Sequence, residues 1–249
     1  MFGKFVRGGL FATLLCATAG LEAAPFNLTG TWLPKYWTVR MALHQEGDRV
    51  WGSGGDFWFR GSWDGKRLLL VANQLDEPRK TCRPRGTFVV TGTTVNSVTT
   101  LWLQPGSAPI KGPWVRVSPD AGEPPAYPYA KELAYCGSLR TYELAFATGS
   151  DQLKDENPPI LAAVADMLKG NASARIQVAG HTDSTGDAKG NQELSERRAA
   201  AVKRVLVERH GVEEARVTVR GWGAEQPLED NKTEEGRALN RRVEIVLSR

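Results

Sequence analysis

The sequence predicts an α+β protein made of two unlike domains. The first is antiparallel all-β, a small barrel or sandwich, and the second runs β-α-β-α-β-α-β. Three observations carry this reading. Seven of the eight Trp (Trp32, Trp37, Trp51, Trp58, Trp63, Trp102, Trp114) lie before residue 115, among short alternating apolar runs. After a Pro- and Gly-rich stretch the apolar period changes from two to one that alternates between strand and helix values. With 249 residues, 41% of them hydrophobic and 24% charged, the chain has material for one or two packed cores and is not disordered by composition.

In chain order, Lys4 and Arg7 precede an apolar block at 8–16, followed by small residues (Ala17, Thr18, Ala19, Gly20, Ala23, Ala24). This is the pattern of a secretory signal peptide, assigned to residues 1–24. The uncharged stretch 8–21 is too short for a helix that needs ~20 residues to cross a bilayer. Leu15 before Cys16 is unsuited to lipoprotein processing, which favours a small residue there. Removing the leader takes away Lys4, Arg7 and Glu22 from 32 basic and 28 acidic residues, leaving 30 against 27, a charge of +3.

Residues 25–117 form the Trp-rich β domain. Val39-Met41-Leu43, Leu68-Leu70 and Phe88-Val90 alternate as strands do, and Asp64-Gly65, Gly47-Asp48 and Thr91-Gly92 read as turns between them. Trp at alternating strand positions points to core or barrel plug before ligand platform, because such rings bury large areas. Residues 118–136, with Pro119, Gly122, Pro124, Pro125 and Pro128, read as a linker.

Residues 137–249 form the second domain. Tyr142-Leu144-Phe146 alternates as a strand. Ile160, Leu161, Val164 and Leu168 recur at helical spacing, and Ile176-Val178 returns to a strand. A long helix over about 191–209 stops at Gly211, then Val217-Val219, a short helix over about 233–239, and Val243-Ile245-Leu247 complete the order.

Composition and charge narrow the function. Basic and acidic residues are interleaved and the sequence pI is about 9.0, which does not make the basic stripe of a nucleic-acid binder. The mature chain keeps Cys82 and Cys136, an even count in an oxidising compartment, which predicts one disulfide enclosing about 55 residues. His44, His181 and His210 are scattered and there is no CxxC, so no metal site or cofactor is expected.

One residue breaks its own pattern. The apolar stripe of the long helix runs Leu194, Val202, Val205, Leu206, and position 198, four residues from both Leu194 and Val202, is Arg. A guanidinium turned inward needs an acid of the same domain or an anionic ligand, unless it lies at the stripe's edge and reaches water. A candidate acid is Asp183, presented between two glycines in Gly180-His181-Thr182-Asp183-Ser184-Thr185-Gly186 where the preceding strand ends. Asp183 and Arg198 suit an α-amino acid group, the carboxylate taking an ammonium and the forked guanidinium a carboxylate. Paired directly with each other, they would instead be a structural salt bridge.

The segment 142–247 resembles the OmpA-like domain shared by OmpA, Pal and MotB-type proteins, which grip peptidoglycan. The resemblance is carried by Phe146-Ala147-Thr148-Gly149-Ser150, the Gly-His-Thr-Asp of 180–183, Asn191-x-x-Leu194-Ser195-x-x-Arg198-Ala199, Gly221-x-Gly223-x-x-x-Pro227, Asn231-x-Thr233 with Gly236-Arg237, and Asn240-Arg241-Arg242-Val243. It implies that Asp183 meets the ammonium and Arg198 the carboxylate of diaminopimelate in the peptide stem, with contacts from Thr182, Asn191, Leu194 and Arg241. It further implies a periplasmic protein held at the wall, without catalysis, whose β domain is tethered there and free to meet outer-membrane or other envelope proteins.

Two rival functions remain in view. Gly30-Thr31-Trp32 is weakly similar to the opening of lipocalin-like barrels, which would place the main activity in ligand or partner binding by the β domain. His181, Asp183 and Ser195 are the residue types of a hydrolase triad. However, His181 and Asp183 lie two apart at a strand end and no Gly-x-Ser-x-Gly elbow exists, so catalysis is not expected.

Overall fold

The computed structural model describes residues 27–35, 38–63, 67–94, 97–103, 108–147, 149–155 and 158–248, so the leader expected at 1–24 lies outside the described residues. Eight strands, β1 (Gly30–Pro34), β2 (Met41–Glu46), β3 (Arg49–Gly54), β4 (Phe57–Trp63), β5 (Leu68–Asp76), β6 (Thr81–Thr94), β7 (Ser97–Leu103) and β8 (Ile110–Ser118), pair in sequence and β8 returns to β1. The result is a closed antiparallel barrel, which leaves no edge strand unpaired. Gly47-Asp48 turns between β2 and β3 as expected. Thr91-Gly92, expected as a turn, instead lies inside the 14-residue β6, where the pairing with β7 shifts register between Thr91 and Thr93. A bulge satisfies the Thr/Gly pair without ending the strand.

Period-two alternation sorts the barrel's side chains. Trp32, Met41, Leu43, Val50, Phe59, Leu68, Leu70, Phe88, Val90, Val98 and Trp114 point inward from all eight strands and form one cluster, each at most 3% exposed. Phe88 stacks near Trp102 (5.5 Å) and meets Trp114 edge-on (4.9 Å). These side chains meet in the barrel interior, as they do in small barrels generally.

The outward-facing residues of β3 to β5 are largely covered by the second domain and the segment leading to it. Trp51 and Trp58 pack on the core of the second domain, Trp51 donating to the Pro125 carbonyl at 3.0 Å and Trp58 meeting Tyr127 edge-on. Leu69 and Val71 cluster with Tyr142, Ala238 and Leu239. Between these patches Arg60, fully buried, donates from Nε and Nη2 to both oxygens of Glu132 (2.9 and 2.7 Å) and from Nη1 to Glu143 (3.2 Å). Tyr127 and Tyr129 hydroxyls donate to Glu132 and Glu143, each at 2.7 Å, and Asn73 donates to Glu132 at 2.8 Å. Burial pushes the Glu143 carboxyl above its ordinary range, against the pull of Arg60.

The stretch expected as a linker contains a helix, α1 (Tyr129–Cys136), which carries Glu132 into this interface and ends at Gly137 in the left-handed region (φ 74°). Cys136 at its last position is bonded to Cys82 of β6, so the α1 end is covalently fixed to the barrel.

In the second domain β9 (Ser138–Thr141), β10 (Arg175–Gly180), β11 (Val217–Gly221) and β12 (Val243–Ser248) form a sheet in the order β11-β10-β12-β9. Only β10 and β11 are parallel. Helices α2 (Pro159–Gly170), α3 (Ala188–Arg204) and α4 (Glu234–Asn240) intervene, and a π-helical turn extends α3 over Val205–Arg209. The strand expected at 142–146 sits earlier, at 138–141. Tyr142 instead packs against the barrel, Leu144 and Phe146 join the sheet-and-helix core, and Phe146 makes only an isolated bridge to Leu153. The apolar alternation there records burial on two sides and not a ladder.

Candidate functional site

The site forms where β10 ends. The His181 amide donates to the Arg242 carbonyl (3.0 Å) and the Thr182 amide to Gly223 (2.8 Å), which clamps the turn to both neighbouring strands' ends. The motif glycines are required by close packing: a Cβ on Gly180 would lie 2.1 Å from the Ser195 carbonyl, and one on Gly221 2.6 Å from its hydroxyl. Helix α3 can therefore lie directly across the strand ends and bring its residues to the turn.

Asp183 then uses both oxygens. One accepts from the Thr185 amide at 2.8 Å, an Asx turn, and the other from Arg241 Nη1 at 2.6 Å. Burial opposes ionisation of Asp183, but the bond from Arg241 and those from Thr185 outweigh it and hold the carboxyl below its ordinary range.

Helix α3 starts at Asp187, whose side chain accepts from the Gly190 amide at 2.8 Å. This sets the phase that turns Asn191, Leu194 and Arg198 toward the turn. Asn191 donates to the Thr185 carbonyl (3.0 Å). Arg198 donates from Nε to the Ser150 carbonyl (3.0 Å) and lies over the Phe146 ring at 5.1 Å. Among the described residues no carboxylate comes within ion-pair distance of it, so the direct Asp183–Arg198 salt bridge is not formed. Burial and the neighbouring Arg241 lower the Arg198 pKa from its ordinary value, while Asp183 and Asp151 pull the other way.

All six residues singled out in the sequence, Thr182, Asp183, Asn191, Leu194, Arg198 and Arg241, line one groove of about 650 Å³. The groove holds a carboxylate and a guanidinium that do not neutralise each other, beside apolar Leu194 and Phe146, which is the arrangement a zwitterionic amino-acid group fits. Ser195 is tied up elsewhere, donating to the Gln192 carbonyl (2.8 Å) and accepting from the Gly223 amide (2.9 Å). Among the described residues no hydrogen bond joins it to His181 or Asp183. His181 is buried, among the described residues without a hydrogen-bond partner on either ring nitrogen, and burial with the nearby Arg242 pushes its pKa down to about 4.

Sequence reasoning missed two walls of this groove. Glu234 and Arg237 lie one helical turn apart on α4, a signal helical spacing offered. Ser62, Trp63, Arg67 and Leu69 come from the barrel, and nothing local in the chain announces them.

Residues 145–241 match the OmpA family. The chain is 40% identical over 131 residues to outer membrane protein Omp38 of Acinetobacter baumannii, covering 53% of this chain and 36% of that protein. It is 38% identical over 127 residues to the peptidoglycan-binding protein ArfA of Mycobacterium bovis, covering 51% and 39%. The chain thus spans well under half the length of these two relatives. Among solved structures, the peptidoglycan-associated lipoprotein of Burkholderia pseudomallei aligns at 30% identity and a TM-score of 0.39 over 42% of this chain and 88% of that one.

Proposed function

We propose, from the membership of residues 145–241 in the OmpA family, that this protein binds peptidoglycan non-covalently in the periplasm and is not an enzyme. The ligand group is the diaminopimelate of the peptide stem. Its ammonium goes to Asp183 and its carboxylate to Arg198, with Thr182, Asn191, Leu194 and Arg241 completing the contacts. Binding tethers the N-terminal barrel to the cell wall beneath the outer membrane, where other envelope proteins can reach it.

The observation that carries this reading is Arg198. It occupies a position on the apolar side of α3, is half-buried in the groove, and among the described residues meets a backbone carbonyl and an aromatic face but no carboxylate within ion-pair distance. A charge removed from water without a carboxylate partner is costly, and an anion in the groove relieves that cost. The peptide stem of peptidoglycan, the polymer for whose binding the relative ArfA is named, carries carboxylates that meet that requirement.

The test is co-sedimentation of the mature chain with sacculi of the diaminopimelate type. Loss of one charge from a site that holds a zwitterion costs on the order of 2–5 kcal/mol, so Arg198→Ala and Asp183→Ala should each stay folded by circular dichroism and stop pelleting at micromolar concentration. Pelleting retained by either folded variant removes that residue from the site, and release of soluble muropeptides by the wild type would establish an enzyme instead.

A further inference from the structure

The barrel reaches the groove through a chain of charges. Glu234 on α4 is anchored by Arg237, which donates to its Oε2 at 2.6 and 3.0 Å. Its other oxygen, Oε1, lies 3.4 Å from Nη2 of Arg241 and also 3.4 Å from Nη2 of Arg67, at the start of β5. Two arginines from different domains thus share one oxygen. They are unequally buried: the Arg67 side chain is 6% exposed, whereas Arg241, in the loop after α4, is 37% exposed.

We propose that Arg67 and Glu234 are positioning residues that set how tightly Arg241 holds Asp183, so that the barrel tunes the site's readiness for a ligand ammonium. The inference rests on the reading of the groove given above. Asp183 has one oxygen committed to the Thr185 amide and the other to Arg241. An incoming ammonium adds a donor to this carboxylate and competes with Arg241 for it, and the weaker the hold of Arg241, the more of the Asp183 charge is left for the ligand. Glu234 Oε1 already lies 3.4 Å from Arg241 Nη2, and Arg67 competes for it.

The competition fixes opposite signs for two substitutions, which loss of folding or general loosening would not produce. In Arg67→Gln, Glu234 draws Arg241 away from Asp183. In Glu234→Gln, Arg241 has only Asp183. A partly exposed ion pair is worth up to about 1 kcal/mol, so affinity for meso-diaminopimelate, measured by calorimetry on the full mature chain, should rise about two- to fivefold in Arg67→Gln and fall by a similar factor in Glu234→Gln. The double variant should follow Glu234→Gln, because Arg67 acts through that carboxylate.

A second readout needs no ligand: carbon NMR titration of the Asp183 carboxyl. Its pKa should rise in Arg67→Gln and fall in Glu234→Gln relative to wild type. Loss of a nearby cation or anion alone shifts a carboxyl in these directions, so the double variant decides: an Asp183 pKa equal to that of Glu234→Gln upholds the coupling, and one returned toward the wild-type value overturns it; should Arg67→Gln not fold, Arg67→Lys with and without Glu234→Gln takes its place. Shifts of the same sign in both variants, or none, overturn the proposal. A double variant that follows Glu234→Gln in a protein that binds no diaminopimelate would uphold the coupling and overturn the ligand assignment.

Discussion

Replacing Arg60 by Met tests whether the two domains are one cooperative unit. Met fills much of the same volume but supplies none of the four donated bonds, two to Glu132, one to Glu143 and one to the Arg140 carbonyl. Glu132 would keep Tyr127 and Asn73 as neutral donors, and Glu143 would keep Tyr129 and a looser Arg49 at 3.7 Å. Leaving buried carboxylates without their closest cation costs about 3–5 kcal/mol, a large share of the stability of an ordinary domain. Chemical denaturation followed by two probes reads the effect. Tryptophan fluorescence reports mainly the barrel, whose strands carry Trp32, Trp51, Trp58, Trp63, Trp102 and Trp114, and circular dichroism reports the helices of the second domain. The wild type should give coincident transitions; Arg60→Met should lower stability by the stated amount and separate the two curves. Because burial already raises the Glu143 pKa, protonation relieves the variant, and its deficit should be smaller at pH 5 than at pH 8. Coincident transitions with a loss below about 1 kcal/mol would refute the view that this cluster couples the domains.

Two further outcomes are expected. His181 has a folded pKa of about 4 against 6.5 unfolded, so the unfolded chain binds the extra proton first. Its contribution is fully present above pH 6.5 and is lost as pH falls toward 4, up to about 3 kcal/mol. In His181→Asn that part of the slope should vanish, and an unchanged slope in urea melts would show that His181 is not its source. Reducing Cys82–Cys136, which closes a loop of sequence separation 54, should lower stability by up to about 4 kcal/mol on the chain-entropy model, and less where the domain interface already restrains the α1 end. Equal denaturation midpoints with and without reductant would show that the interface alone fixes that end.

Much of this molecule was legible in the chain. Alternation and turn residues announced an antiparallel barrel or sandwich, because period two places every second side chain inside. Helical spacing exposed Arg198 as a charge on an apolar stripe, and the Gly-His-Thr-Asp turn marked its companion. Residues whose roles follow from their own element's period, or from an ordered motif, could be placed on the groove. Tertiary structure alone decided what meets each outward face. Trp51, Trp58 and Arg60 alternate like any solvent-facing strand residues, yet they cover the second domain, and Arg60 finds its partners 72 and 83 residues away. Arg67 lies 167 residues from Glu234, and Asp183 is held by Arg241 and not by Arg198. The first strand of the second domain sits at 138–141 because Tyr142, Leu144 and Phe146 are buried by packing against two different neighbours. Local sequence sets which side of an element is apolar. The identity of the surface that covers it is set when distant elements compete to bury apolar area and to satisfy every buried charge, a competition no short window of the chain contains.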